Sequence, residues 1–205
     1  PEKITVTLES ADELPKGNEP VDELIGKKFI MYIGRPTPHK NLRRLIDAFA
    51  LLQKKYPDLT LALAGKKDSN YARHETYVNE HRIKNVVFTG FISDEQLRWM
   101  YENTAVYCFP SLSEGFGLPG LEAMLHGAPV ASSTATCLPE THGDAAHYFD
   151  PFSVEDIAKS IDDILSDDKL RNELVKKGKK HVKTFSWQRM AEQTLAVYEK
   201  YGRKS

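Results

Sequence analysis

The chain has 205 residues, 40% of them hydrophobic and 28% charged, and a formal net charge of −1. This is the composition of an ordinary globular domain. It gives no overall field to draw in nucleic acid or a membrane surface, so either role would need a local patch. The two cysteines, Cys108 and Cys137, are too few for a disulfide framework and fit a reducing, cytoplasmic compartment. No apolar run reaches membrane-span length, the opening PEKITVTLES is not a signal peptide, and a first residue of Pro rather than Met reads as a fragment.

In chain order, ITVTL reads as a lone opening strand, and the polar stretch 9–27 as a loop joining it to a sheet, so that 1–28 form a linker-like entry. FIMYIG (29–34) is a continuous apolar run of the kind a buried parallel strand shows. The following helix carries Leu42, Leu45, Ile46, Phe49 and Leu52 on one face. Further strands are expected at 59–65, 86–90, 105–110, 129–133 and 146–149, with helices between them near 71–82, from Ser93 to about Asn103 and from about Pro119. From Ser153 onward the pattern is helical only: 154–166, 168–184 and 187–201. Repeated strand–helix units predict one Rossmann-like α/β domain over 1–205, an open parallel sheet with helices on both faces and a C-terminal helical tail over 153–205. Ligands of such sheets bind beyond the carboxyl ends of the strands.

Two motifs fall on that edge. SEGFGLPGLEAM holds a G-x-G-x-x-G at Gly115, Gly117 and Gly120, bracketed by Glu114 and Glu122. As a dinucleotide fingerprint it is misplaced, because SLSE separates it from its strand and the unit is the fourth rather than the first. The bland reading is a glycine turn entering a helix, with Glu122 near the first turn serving the helix dipole. The functional reading is a ligand bearing both phosphates and hydroxyls, since helix-start amides take anionic oxygens and carboxylates accept from sugar hydroxyls. The second motif, GRPTPHKN, places Arg35 and Lys40 in the loop after the first strand. They are either two solvated cations or a clamp for a diphosphate.

Together these stretches resemble the retaining glycosyltransferases of family 4, which have the GT-B fold, and the likeness runs over nearly the whole chain. FIMYIGRPTPHKN resembles that family's phosphate loop, FTGFISDEQL its base-binding strand end, and FPSLSEGFGLPGLEAM its E-x7-E motif. The resemblance implies the donor-binding half of such an enzyme, with a UDP- or GDP-sugar as substrate, mannosyl donors included, and an acceptor domain elsewhere. It implies that Arg35, Lys40 and Glu114 serve the chemistry: Arg35 and Lys40 on the diphosphate, Glu114 on the donor sugar. Glu122 would take the ribose, the backbone at Phe116, Gly117 and Leu118 would approach phosphate or sugar, and Ile92 would contact the base. Gly34, Gly65 and Lys66 would line the same site. The acceptor would be a sugar or a lipid-linked glycan of cell-envelope synthesis. Other readings are a GT-B-like epimerase or sugar phosphorylase, and a non-catalytic nucleotide-sugar-binding module.

No cofactor and no metal are expected: the sequence has no Asp-x-Asp, and its seven histidines show no ligand spacing. His39 and His142, in strand-end loops, read as satisfied surface histidines rather than ligand contacts. Lys169–Lys183 holds seven Lys/Arg and one acid. A solvated helix face is favoured there over contact with the inner face of a membrane. Trp187, Met190, Leu195 and Tyr198 on the last helix raise the prospect of self-association.

Overall fold

The structure is a computed structural model that describes residues 4–17 and 19–202. Six parallel strands form one sheet: β1 (Phe29–Ile33), β2 (Thr60–Ala64), β3 (Val86–Gly90), β4 (Val106–Phe109), β5 (Val130–Ser133) and β6 (Ala146–Phe149). Their order is β3-β2-β1-β4-β5-β6. β1 pairs with β2 along its whole length, from Phe29 opposite Thr60 to Ile33 opposite Ala64, and on its other side with β4, Ile30 opposite Val106. The strand order reverses between β1 and β4, which opens a crevice at their carboxyl ends.

The helices are α1 (Leu42–Leu52), α2 (Ser69–Glu80), α3 (Asp94–Asn103), α4 (Leu118–Leu125), α5 (Leu138–His142), α6 (Val154–Ser166), α7 (Asp168–His181) and α8 (Trp187–Tyr201). α1, α2 and α6 cover one face of the sheet; Leu45, Phe49, Tyr71 and Ile161 meet Ile30 and Leu61 there. α3, α4 and α5 cover the other, where Tyr101, Leu121 and Leu138 meet Met31, Tyr107 and Val130. Central strands covered on both faces must be apolar at every position, not every second one, and all five residues of β2 and all four of β4 are buried.

Local signals set the helix starts. Ser93 and Gln96 form a reciprocal capping box at α3, and the Ser153 hydroxyl accepts from the Asp156 N–H at α6. Asp167 accepts from the amides of Lys169 and Leu170 at α7.

The opening segment departs from expectation. Residues 4–8 form no strand, and the preceding residues of that segment lie outside the described ones. The sheet ends at β3 and β6, and neither edge is extended by this segment. Instead it runs beside the last helix, where the Thr194 hydroxyl donates to Thr7 at 3.4 Å. Ile4 and Val6 remain 76% and 68% exposed. The alternation of ITVTL is thus real but has no ladder to join. α8 itself has no buried residue.

The two ends of the molecule should therefore differ sharply in what they contribute to stability. Phe49→Ala, in the fully buried face of α1, should cost about 3–5 kcal/mol. Leu195→Ala, on a residue 55% exposed, should cost less than about 0.5 kcal/mol. Urea unfolding of both variants gives the comparison directly.

Candidate functional site

Three strands leave the sheet through glycines with positive φ: Gly34 (145°) after β1, Gly65 (148°) after β2 and Gly90 (77°) closing β3. Space as well as backbone angle excludes a side chain at the first two. A Cβ on Gly34 would lie 2.7 Å from the Tyr32 hydroxyl, and one on Gly65 would collide with the Gly34 carbonyl. Beyond these turns lies a cleft of about 560 Å³ that includes Gly34, Arg35, Gly65, Lys66 and Ile92, five of the residues singled out in the sequence.

The loops after β1 and β4 are fastened to each other. The Leu112 N–H donates to the His39 carbonyl at 2.7 Å. The Asn41 side-chain amide donates to the carbonyls of Pro110 at 3.0 Å and Pro151 at 2.8 Å. Lys40 Nζ then meets Glu114 Oε1 at 2.7 Å, with only 21% and 12% of the two side chains exposed. Arg35, which is 74% exposed at its side chain, pairs instead with Asp68 at 3.2 Å. The two loop cations are thus held by different carboxylates. Asp68 had no signal as a site residue; it also caps α2 through the amides of Asn70 and Tyr71. Its carboxyl is held below the usual range by the Tyr71 amide first, with the Asn70 amide and Arg35 adding to the effect and desolvation opposing.

Glu122 corrects its bland reading. It is the fifth residue of α4, past the first turn, and it accepts from the Tyr101 hydroxyl at 3.3 Å. Desolvation pushes its carboxyl pKa up, the Tyr101 hydrogen bond opposes this, and Asp12 and Asp94 add to the rise. Glu114 and Glu122 sit outside the lining of the 560 Å³ cleft. Gly115 and Phe116 line a second cleft of about 600 Å³, closed by Val6–Glu9, Cys137 and Phe185.

His142 is the larger correction: it is fully buried, not a surface histidine. Its ring nitrogens face the Ser132 hydroxyl at 3.2 Å and the Gly117 carbonyl at 3.2 Å. The short helix α5, which no sequence signal marked, carries it under α4. It also accounts for two of the three glycines. A Cβ on Gly120 would strike the His142 ring, and Gly117, with φ of 102°, would press against Leu138 and His142. Gly115 has open space around it. Burial drives the His142 pKa down to about 4, with the Gly117 carbonyl partly opposing. Among the described residues, no cluster of His, Cys, Asp and Glu suits a metal ion, and no helix is long and apolar enough to cross a membrane.

A doubly wound sheet whose strand order reverses between β1 and β4 places these cations and carboxylates at the switch point, where α/β domains of this kind bind their ligands. Residues 17–181 match the family model described as "Glycosyl transferases group 1", and the chain belongs to that family. It is 35% identical over 182 residues to the O-antigen chain mannosyltransferase B of Escherichia coli, covering 86% of this chain and 47% of that protein. It is 33% identical over 187 residues to the MMP alpha-(1->4)-mannosyltransferase of Mycolicibacterium hassiacum, covering 89% and 45%. The chain thus spans about half the length of these curated relatives. Among solved structures, the sucrose-phosphate synthase of Thermosynechococcus elongatus superposes with a TM-score of 0.77 at 29% identity, over 85% of this chain and 45% of that one. The Rossmann-like fold expected from the sequence agrees with that likeness.

Two titrations test this geometry. His142 has its folded pKa below its unfolded value, so between about pH 6.5 and pH 4 the unfolded chain gains a proton that the native imidazole refuses. Stability should fall as pH drops through that window, by up to ~3 kcal/mol at about 1.4 kcal/mol per unit. NMR should find the ring neutral at pH 6; a ring protonated there would contradict the buried placement. Glu122 has its folded pKa raised, so the stability tied to its proton is present below the unfolded pKa and lost as pH rises through the folded one. Glu122→Gln, which keeps an acceptor for Tyr101, should therefore raise the melting temperature at pH 7.

Proposed function

We propose that this chain is the donor-binding half of a retaining glycosyltransferase, which moves a sugar from a nucleoside-diphosphate sugar to an acceptor in cell-envelope glycan synthesis. Mannose is the sugar favoured by the names of the relatives. The observation that carries the reading is the Lys40–Glu114 pair at 2.7 Å, drawn from two loops that face each other across the switch point. A half-buried cation and a half-buried carboxylate at one point suit a ligand whose charged and hydroxylated parts adjoin.

In this reading the donor's diphosphate takes Lys40 while the sugar hydroxyls take Glu114, so the two side chains exchange each other for complementary groups on one ligand. Arg35 turns from Asp68 to the same diphosphate. An exposed ion pair is worth roughly 0–1 kcal/mol, so its release costs little. As the glycosidic bond breaks, negative charge grows on the departing diphosphate, and Arg35, Lys40 and the amides near Gly117 and Leu118 stabilise it electrostatically. Glu122 accepts from the ribose hydroxyls, the Phe116 backbone approaches the sugar, and the backbone at Ile92 meets the base, with Gly34, Gly65 and Lys66 beside it. The acceptor, a sugar or lipid-linked glycan, is bound together with the remainder of the longer protein, working in the cytoplasm. By itself the 205-residue chain should bind donor and transfer nothing.

Titration calorimetry separates the roles. Arg35→Ala and Glu122→Gln should weaken nucleoside diphosphate and nucleotide-sugar alike. Glu114→Gln should weaken only the nucleotide-sugar. Hydrogen bonds to charged groups are worth about 1.5–3 kcal/mol, so each loss should be tenfold or more. Unchanged affinity in all three variants would return the glycine stretch to a packing device.

A further inference from the structure

Four residues other than glycine have a positive φ among the described ones: Asn41, Arg82, Asn85 and Thr136. Asparagine tolerates that region because its short amide bonds locally. Thr136, at φ 50° in the loop between β5 and α5, is the β-branched member of the set. A branched Cβ is strained there, and such strain persists only where neighbouring contacts over-determine it. Thr136 is exposed, so burial does not hold it. Its side-chain hydrogen bonds do, and both go to Glu114. The Thr136 hydroxyl accepts from the Glu114 N–H at 3.1 Å and donates to the Glu114 carbonyl at 3.3 Å. The Cys137 thiol donates to the same carbonyl at 3.3 Å.

In a sheet, the N–H and C=O of one residue are taken together by a backbone partner. Here a single hydroxyl takes both, in a loop that belongs to no ladder. The Glu114 carboxylate meanwhile meets Lys40 Nζ at 2.7 Å. Glu114 is therefore held at its backbone by the loop after β5 and at its side chain by the loop after β1. A ligand hydroxyl that replaces Lys40 removes the second hold, and the backbone clasp remains to aim the carboxylate. A loop already fixed in this way spares the ligand the cost of ordering it. Glycine would make the same turn without strain, so the hydroxyl is what the strained threonine adds. We infer that Thr136 is a positioning residue for the donor sugar, its hydroxyl holding the Glu114 backbone so that the carboxylate meets the sugar hydroxyls with the loop in place. This rests on the nucleotide-sugar reading of the site and adds to it a residue that acts through Glu114.

The test uses substitutions whose effects on stability and on binding differ in sign. Thr136→Gly removes the hydroxyl and relieves the backbone; Thr136→Ser keeps the hydroxyl and drops the branch. The 205-residue chain is titrated by calorimetry with GDP-mannose against GDP and with UDP-glucose against UDP, and the pair that binds is carried through the variants. Thr136→Gly should keep or raise the melting temperature, yet weaken the nucleotide-sugar about threefold to tenfold, roughly what one neutral hydrogen bond contributes, and leave the nucleoside diphosphate within about twofold. Thr136→Ser should restore the affinity for the nucleotide-sugar. An unchanged nucleotide-sugar affinity in Thr136→Gly overturns the inference. An equal loss for both ligands with a lowered melting temperature also overturns it, because Thr136 is then only a structural part of the loop. Failure of Thr136→Ser to restore affinity overturns it as well and assigns the effect to the methyl group. In each of these cases the nucleotide-sugar reading stands. Binding of neither pair by the unsubstituted chain overturns that reading and the inference with it.

Discussion

The carboxyl edge of the sheet depends on one side-chain amide. Asn41 is 5% exposed and sits in the left-handed conformation, φ 60°, at the start of α1. From there its amide nitrogen reaches the carbonyls of Pro110 and Pro151. It thereby joins the loops after β1, β4 and β6, which the chain connects only through long crossovers. Neither carbonyl belongs to the ladder, and a buried carbonyl without a donor costs about 1–3 kcal/mol. The clasp satisfies both with one group, and the oxygen of the same amide accepts from Arg44. With the loops fixed at that depth, Lys40 and Glu114, one residue before Asn41 and four after Pro110, arrive at the same point.

The glycine stretch serves two masters. Its spacing imitates a dinucleotide fingerprint, in which the glycines make room for a pyrophosphate and for the packing of a helix on its strand. Here Gly117 and Gly120 make room for a buried imidazole instead. His142 fills the space under α4 where side chains at those positions would stand. In return its ring faces the Gly117 carbonyl at the helix start. The helix is therefore positioned by protein contacts made before any ligand arrives. Gly115 has no neighbour within 4 Å that would forbid a side chain, and it is the glycine at the loop tip, beside Glu114.

Much of the fold was legible because its signals are local. Buried parallel strands must be apolar throughout, so FIMYIG, LTLALAG and AVYCFP announce themselves, and the caps at Ser93 and Ser153 mark helix starts from side chains alone. What the sequence hid depends on distant partners. ITVTL has the alternation of a strand, yet whether it becomes one depends on an available edge. The five-residue α5 is too short to show a period. The burial of His142 follows from the glycines that face it, more than twenty residues earlier. Within the site, the E-x7-E spacing and the Arg/Lys loop were readable. The carboxylates that pair with the cations were not, because Asp68 lies 33 residues from Arg35 and Glu114 lies 74 from Lys40.

These pairings divide the edge into parts of different stiffness. Lys40 and Glu114 are mostly shielded and fastened by the Asn41 clasp, so their geometry is set in advance; the energetic demand of a ligand there is to replace one good pair with two. Arg35 is solvated and weakly held, free to move with little cost. Glu122 is the opposite case, a carboxylate whose ionisation is opposed by burial and by the negative charges of Asp12 and Asp94. Among the described residues its carboxylate has one hydrogen bond, from Tyr101 at 3.3 Å, which leaves acceptor capacity unfilled. A new donor reaching that carboxylate would offset part of the cost of its ionisation, whereas at Lys40–Glu114 it would first have to displace a partner already in place.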